Sequence, residues 1–193
     1  MFYELDTCEK SAELWFDDNY KQVKNEVCPS VEEHQWGVRD NNINLKLIFK
    51  KGKVTDIMAA YSYILISEKV AKLFEENDVT GYALKPVIFT NKELPCKYYE
   101  LYIIGKGGQA HSDSKIEIKQ KCNTCNFIRY TKIQEGIGII VDKNNWDGSD
   151  IFTINGYELF VLITEKVKNL IQNNNITGYK IIKSTEVYTV GVK

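Results

Sequence analysis

SEKVAKLFEENDVTGY at residues 67–82 and TEKVKNLIQNNNITGY at residues 164–179 align without a gap, ninety-seven positions apart, with eight of sixteen residues identical. Most of the remaining positions keep their type, as in Ser67/Thr164, Phe74/Ile171 and Val79/Ile176. Ser67 or Thr164 suits a helix N-cap, because its hydroxyl can accept from an amide that has no partner in the first turn. Glu68 or Glu165 then places a negative charge at the positive end of the helix dipole. Val70, Leu73 and Phe74 recur at i, i+3 and i+4, as do Val167, Leu170 and Ile171, which is one apolar helical stripe. Asn77 and Asn174 stand where a helix can end in a left-handed residue. The apolar runs on either side, YSYILI and ALKPVIF in the first copy and YELFVLI and KIIKSTEVYTV in the second, read as strands. Each copy is therefore a strand–helix–strand unit.

An Asp-Ile pair precedes each unit, Asp56-Ile57 and Asp150-Ile151, but at an offset of ninety-four. The second copy thus carries three extra residues, which the turn TING at 153–156 would accommodate. Two copies are too few for a solenoid. The expected architecture is α+β, mostly antiparallel sheet with short capped helices, built from two similar units by internal duplication. It forms one domain, 1–193, with two pseudo-repeated lobes over about 1–95 and 96–193. Outside the units, strands are expected at 1–5 and near 43–50, 61–66, 82–89, 97–104, 115–120, 127–132 and 137–141. A polar helical stretch is expected around 9–27, with Leu14, Trp15 and Val23 as its apolar face.

A chain of 193 residues, 44% hydrophobic and 26% charged, is long enough for a real core and ordinary globular material. Its longest apolar runs are far too short to cross a bilayer, and MFYELDTCEK has acids where a signal peptide is basic and then apolar. The expectation is a cytoplasmic protein with no membrane partner, whose five cysteines are reduced thiols. Formal net charge is −1, and Arg39 and Arg129 are its two arginines. Phosphates and guanine edges favour the arginine fork and a basic surface, so no nucleic-acid partner is expected.

GKGGQA at 105–110 fits G-x-G-x-x-A, yet HSDSKIEIKQ follows it instead of the helix that would hold a pyrophosphate. The loop reads as a hairpin connection. His111-Ser112-Asp113 has the residue types of a triad, but triads are assembled from separate segments, so a surface loop is expected. No spacing of carboxylates singles out an acid/base pair, no catalytic residue is named, and neither an organic cofactor nor a small-molecule ligand is called for.

Cys122-Asn123-Thr124-Cys125-Asn126 is the sharpest local signal. A C-x-x-C turn lets two thiolates reach one zinc ion, and Asn126 stands where such knuckles have glycine. A full site needs two more ligands, for which Cys8, Cys28, Cys96, His34 and His111 are the candidates. The competing reading is a reduced dithiol on a strand turn.

CNTCN, WDGSDIF at 146–152 and VLITEKVKNLIQNNNITGYKI together resemble the bacterial double-CXXCG-motif proteins, a family of polymorphic-toxin immunity proteins. The resemblance covers about 120–190, with Asn126 in place of the knuckle glycine and the first CXXCG absent. It implies a non-catalytic protein that binds and occludes a cognate toxin. The aromatic clusters KYYELY (97–102) and YSY (61–63) could serve such a surface or be half-buried strand positions. Two other readings stay open: a small enzyme or ligand-binding domain with an unrecognised site, and a zinc-knuckle adaptor.

Overall fold

The computed structural model describes residues 1–8, 12–40 and 42–189. In chain order the strands begin with β1 (Phe2–Thr7), β2 (Glu13–Phe16), β3 (Val23–Val27), β4 (Gln35–Arg39) and β5 (Lys46–Lys51). The first repeated unit follows as β6 (Ile57–Ala60), β7 (Tyr63–Ser67), helix α1 (Glu68–Glu76) and β8 (Tyr82–Pro86). Then come β9 (Ile88–Phe89), β10 (Tyr98–Ile103), β11 (Gly105–Lys106), β12 (Ile118–Lys121) and β13 (Ile128–Tyr130). The second unit is β14 (Ile151–Ile154), β15 (Tyr157–Thr164), α2 (Glu165–Asn173) and β16 (Tyr179–Lys183). The fold is α+β, mostly antiparallel.

Two sheets carry the same plan. One has the order β6-β7-β10-β8 and the other β14-β15-β1-β16, with β11 added at its edge. In each, the strand after the helix is separated from the hairpin by a strand from elsewhere in the chain, antiparallel to both neighbours. Strand pairing thus does not follow a cut near residue 95, because β1 completes the second sheet and β10 the first. Alternation along the strands gives each sheet one face toward a shared core. Tyr3, Leu5, Ile57, Ile66, Leu101, Ile151 and Ile163 meet there with Val70 and Phe74 of α1 and Val167 and Ile171 of α2. The helical stripes read from the sequence are the buried ones, with Leu73 and Leu170 packed at the margin in both copies.

The repeated TGY and the two Asp-Ile pairs explain one another. Ile57 N–H donates to Thr177 O at 2.9 Å, and Ile151 N–H donates to Thr80 O at 3.0 Å. Asp56 Oδ2 accepts from the amide and hydroxyl of Thr177 at 3.0 and 2.8 Å. Asp150 Oδ2 accepts from those of Thr80 at 3.1 and 3.4 Å. Each unit's aspartate therefore grips the other unit's Thr-Gly, which forms a reciprocal clasp. Glycine follows the threonine because the backbones touch. A Cβ on Gly81, at φ +91°, would stand 2.0 Å from Ile151 O, and one on Gly178, at φ +88°, 2.2 Å from Ile57 O. Such positive φ angles favour glycine in any case.

Other expectations meet corrections. Among the described residues of 9–27 there is no helix; residues 9–11 lie outside them. Leu14 is buried at 6% and Trp15 is exposed at 48%, a period-two alternation that lets β2 pair with β5. Asn77 and Asn174 are not the left-handed residues that end the helices. Asn77 and Asn174 have φ near −113° and −112°, and their side-chain amides cap Leu73 O and Leu170 O. The left-handed residues are the next ones, Asp78 and Asn175. Ser67 caps through its hydroxyl as expected, whereas the Thr164 hydroxyl donates to Asp150 and makes no cap bond. The three extra residues of the second copy lie in β15, where pairing moves from Phe152↔Leu162 to Ile154↔Tyr157, and not in the turn at 153–156.

Residues 137–141 make no strand, only a bridge between Val141 and Ala110. Their Ile139 and Val141 fill a second core on the far face of the β1-containing sheet, with Phe152, Ile154 and Leu162. GKGGQA is no hairpin connection either. Gly105–Lys106 runs parallel to Phe152–Thr153 and carries the chain from one sheet to the other. A third core, with Leu45, Leu47, Met58 and Leu65, joins β2 and β5 to the far face of the β10-containing sheet.

Candidate metal centre

Two hairpins, β3–β4 and β12–β13, stand apart from the large sheets as two-stranded ribbons. Every residue of β3 and of β12 is exposed. Ribbons of this size are marginal alone, because they bury too little to offset chain entropy. Their tips meet. Cys28 directly follows β3 and His34 directly precedes β4, with Cys28 N–H donating to His34 O at 2.9 Å across the turn. Cys122 directly follows β12, and its N–H donates to Phe127 O at 2.8 Å to close the C-x-x-C knuckle. Asn126 takes φ +56° there, the left-handed geometry that the glycine of such turns supplies and asparagine tolerates.

One thiol or imidazole atom from each of Cys28, His34, Cys122 and Cys125 lies within 4.8 Å of every other. Cys28 Sγ and Cys122 Sγ are 3.9 Å apart, and Cys125 Sγ and His34 Nδ1 are 3.7 Å apart. Cys28 and His34 are each 3% exposed and Cys122 9%; Cys125 is more open. The hairpin tips themselves supply the contacts around the four side chains. Ser30 N–H donates to Cys28 Sγ at 3.4 Å, Thr124 Oγ donates to Ser30 Oγ at 3.0 Å, and the His34 ring packs on Phe127 at 4.5 Å between centroids. The amides of Cys125 and Thr124 point at Cys122 Sγ and draw its thiol down to about 6. Burial, with the neighbouring thiols, pushes the Cys125 thiol up.

The structure sorts the five candidates for the remaining ligands. It brings Cys28 and His34 to the knuckle. Cys8, Cys96 and His111 take no part in the cluster, Cys96 and His111 being solvent-exposed. A Cys-x5-His pair flanking a Pro-Ser turn was the available sequence signal for the first two. His111 and Asp113 touch at 3.4 Å on the surface, within a single turn. Of the tyrosine clusters, Tyr98 is a core residue whose hydroxyl donates to Thr55 O at 2.8 Å, while Tyr61 is 63% exposed and stacks on Phe16.

At its base the β3–β4 hairpin is tied differently. Arg39 Nη1 and Glu100 Oε1 are 2.6 Å apart with side chains 4% and 3% exposed, and Arg39 Nη2 donates to Ile43 O at 2.8 Å. Among the described residues, no helix is long and apolar enough to cross a membrane.

Residues 41–191 match the family model described as Immunity protein 43. No curated protein matches the chain. An immunity-protein family is thus found, although the double-CXXCG family suggested by the C-terminal motifs is not the one matched. The matched segment includes both repeated units and the knuckle and leaves out the β3–β4 hairpin.

Proposed function

Because the chain belongs to the immunity protein 43 family, we propose that it neutralises a cognate toxin protein in the cytoplasm by tight one-to-one binding, without covalent chemistry. The observation that carries this is the family match over 41–191, which includes both clasped units. Immunity by occlusion needs a rigid scaffold and a surface, and the reciprocal clasp supplies the first. Exposed aromatic side chains able to anchor a partner include Trp15, Tyr20 and Tyr61, at 48%, 42% and 63% exposure. Side chains of this kind dominate binding hot spots when a partner desolvates them. Nanomolar affinity corresponds to about −12 kcal/mol, within reach of an interface of standard size.

Co-expression with the toxin encoded beside its gene tests the reading. The protein is expected to restore growth, and a scan of exposed residues that includes Trp15→Ala, Tyr20→Ala and Tyr61→Ala is expected to find positions where protection weakens while the fold is kept. A protein that leaves the toxin fully lethal sinks the proposal.

We also infer that the units at 54–89 and 148–188 descend from one duplicated ancestor and fold as a single domain. The ungapped match, the shared strand order and the mirrored Asp–Thr bonds support this. A single cooperative unfolding transition is expected, and two separate transitions would contradict the single domain.

A further inference from the structure

We propose that Cys28, His34, Cys122 and Cys125 together bind one zinc ion, and that this ion fastens the β3–β4 hairpin to the β12–β13 hairpin. Nothing in the family match assigns such a site, and two of the four ligands lie before the matched segment.

Two of the six ligand separations match the edges of a tetrahedral cage, and all six are within 4.8 Å. With Zn–S near 2.3 Å and Zn–N near 2.05 Å, ideal tetrahedral edges are about 3.8 Å between sulfurs and about 3.6 Å between sulfur and nitrogen. The separations of 3.9 Å for Cys28–Cys122 and 3.7 Å for Cys125–His34 fall on those edges. A disulfide would bring two sulfurs to about 2.05 Å, so the spacing suits a shared ion and not a bond. Three thiolates and one imidazole are soft and borderline ligands, which select zinc over magnesium or calcium. All four positions come from protein, as in structural sites, with no open position for substrate. Binding releases to solvent whichever thiol protons are still bound and leaves three thiolates and a neutral imidazole on the ion. Cys125, the least buried ligand, marks the side from which the metal enters.

The ion also answers an energetic question. β3 and β12 are exposed along their length, and the anchors to the main body, Arg39 on Glu100 and Tyr130 beside Tyr157, lie at the bases of the ribbons, away from the tips. Bringing three thiols and a ring together, away from water, offers little by itself. Metal coordination supplies folding free energy directly, and the contacts of Thr124 with Ser30 and of His34 with Phe127 then fall into place around it.

The test uses the full chain, purified under reducing conditions without chelator, with metal measured by plasma mass spectrometry and hydrogen exchange followed before and after zinc removal. One equivalent of zinc is expected, falling below about a tenth in C122S and in H34A. H34C, which restores a fourth ligand, and C96S, outside the cluster, are expected to keep it. On stripping the metal, residues 23–39 and 118–130 should lose protection while 57–86 and 151–183 keep theirs. Metal-free protein that takes up no added zinc overturns the site, as does a Cys28–Cys122 disulfide or uptake unchanged in H34A and C122S. Unchanged protection on zinc removal overturns the fastening role.

Discussion

Substituting Asp56 tests the reciprocal clasp that holds the two units together. Its carboxylate, 18% exposed, accepts from Thr177 N, Thr177 Oγ1 and Ser67 Oγ at 3.0, 2.8 and 3.0 Å. Hydrogen bonds to a charged group contribute about 1.5–3 kcal/mol each when buried. Thr177 is exposed and regains water when its partner goes, so about 1 kcal/mol per bond is the better figure, or about 3 kcal/mol for Asp56→Ala. At roughly 2–4 °C per kcal/mol for a chain of this size, Tm should fall by about 6–12 °C. The decisive assay is a double-mutant cycle by guanidinium denaturation. Asp56→Ala and Thr177→Val should couple by about 1–2 kcal/mol, whereas Asp56→Ala and Thr80→Val should add within about 0.5 kcal/mol. Asp150 should show the opposite preference, coupling to Thr80. If Asp56 coupled equally to the threonine of its own unit, the exchanged grip would be refuted.

Arg39→Ala should destabilise by about 3–5 kcal/mol, because it takes the guanidinium at 2.6 Å away from the buried Glu100 carboxylate; the double variant Arg39→Met with Glu100→Leu should recover most of that loss in the same denaturation assay. Glu4 lies in β1 between Leu162 and Ile182, and burial, reinforced by Asp6 and opposed by Lys180, pushes its carboxyl up to about 7. A folded pKa above the unfolded one favours folding fully below the unfolded value and loses that contribution as pH rises through about 7. Glu4→Gln should therefore be more stable than the parent at pH 8 by about 1 kcal/mol, after allowance for solvent screening of a half-buried group. At pH 4 the two proteins should unfold together.

The repeat was legible because its signals are local. A cap, a stripe at helical spacing and a turn glycine each act within a few residues, and all three recur at the same offset. What the glycine and threonine touch was not legible, since Gly81 and Gly178 are required by backbone seventy and one hundred and twenty-one residues away. The placement of β1 and β10 was hidden for the same reason, as strand pairing is chosen by partners and not by the strand. Leu14, Trp15 and Val23 misled because three apolar residues in a polar stretch do not decide between periods of two and 3.6. At the metal centre the knuckle announced itself through Cys122 and Cys125. Cys28 and His34 could be named only as candidates, because what selects them over Cys8 and Cys96 is the meeting of two hairpin tips.

Inhibition stoichiometry separates neutralisation by binding from neutralisation by catalysis. A fixed amount of the purified cognate toxin is titrated with this protein well above the dissociation constant, and residual toxin activity is followed. Residual activity is expected to fall linearly to zero at one molecule per toxin, and to return when the complex is dissociated under denaturing conditions and the toxin refolded. Complete loss of activity at a small fraction of one equivalent, with the toxin chemically altered, would reveal a catalyst and contradict neutralisation by binding.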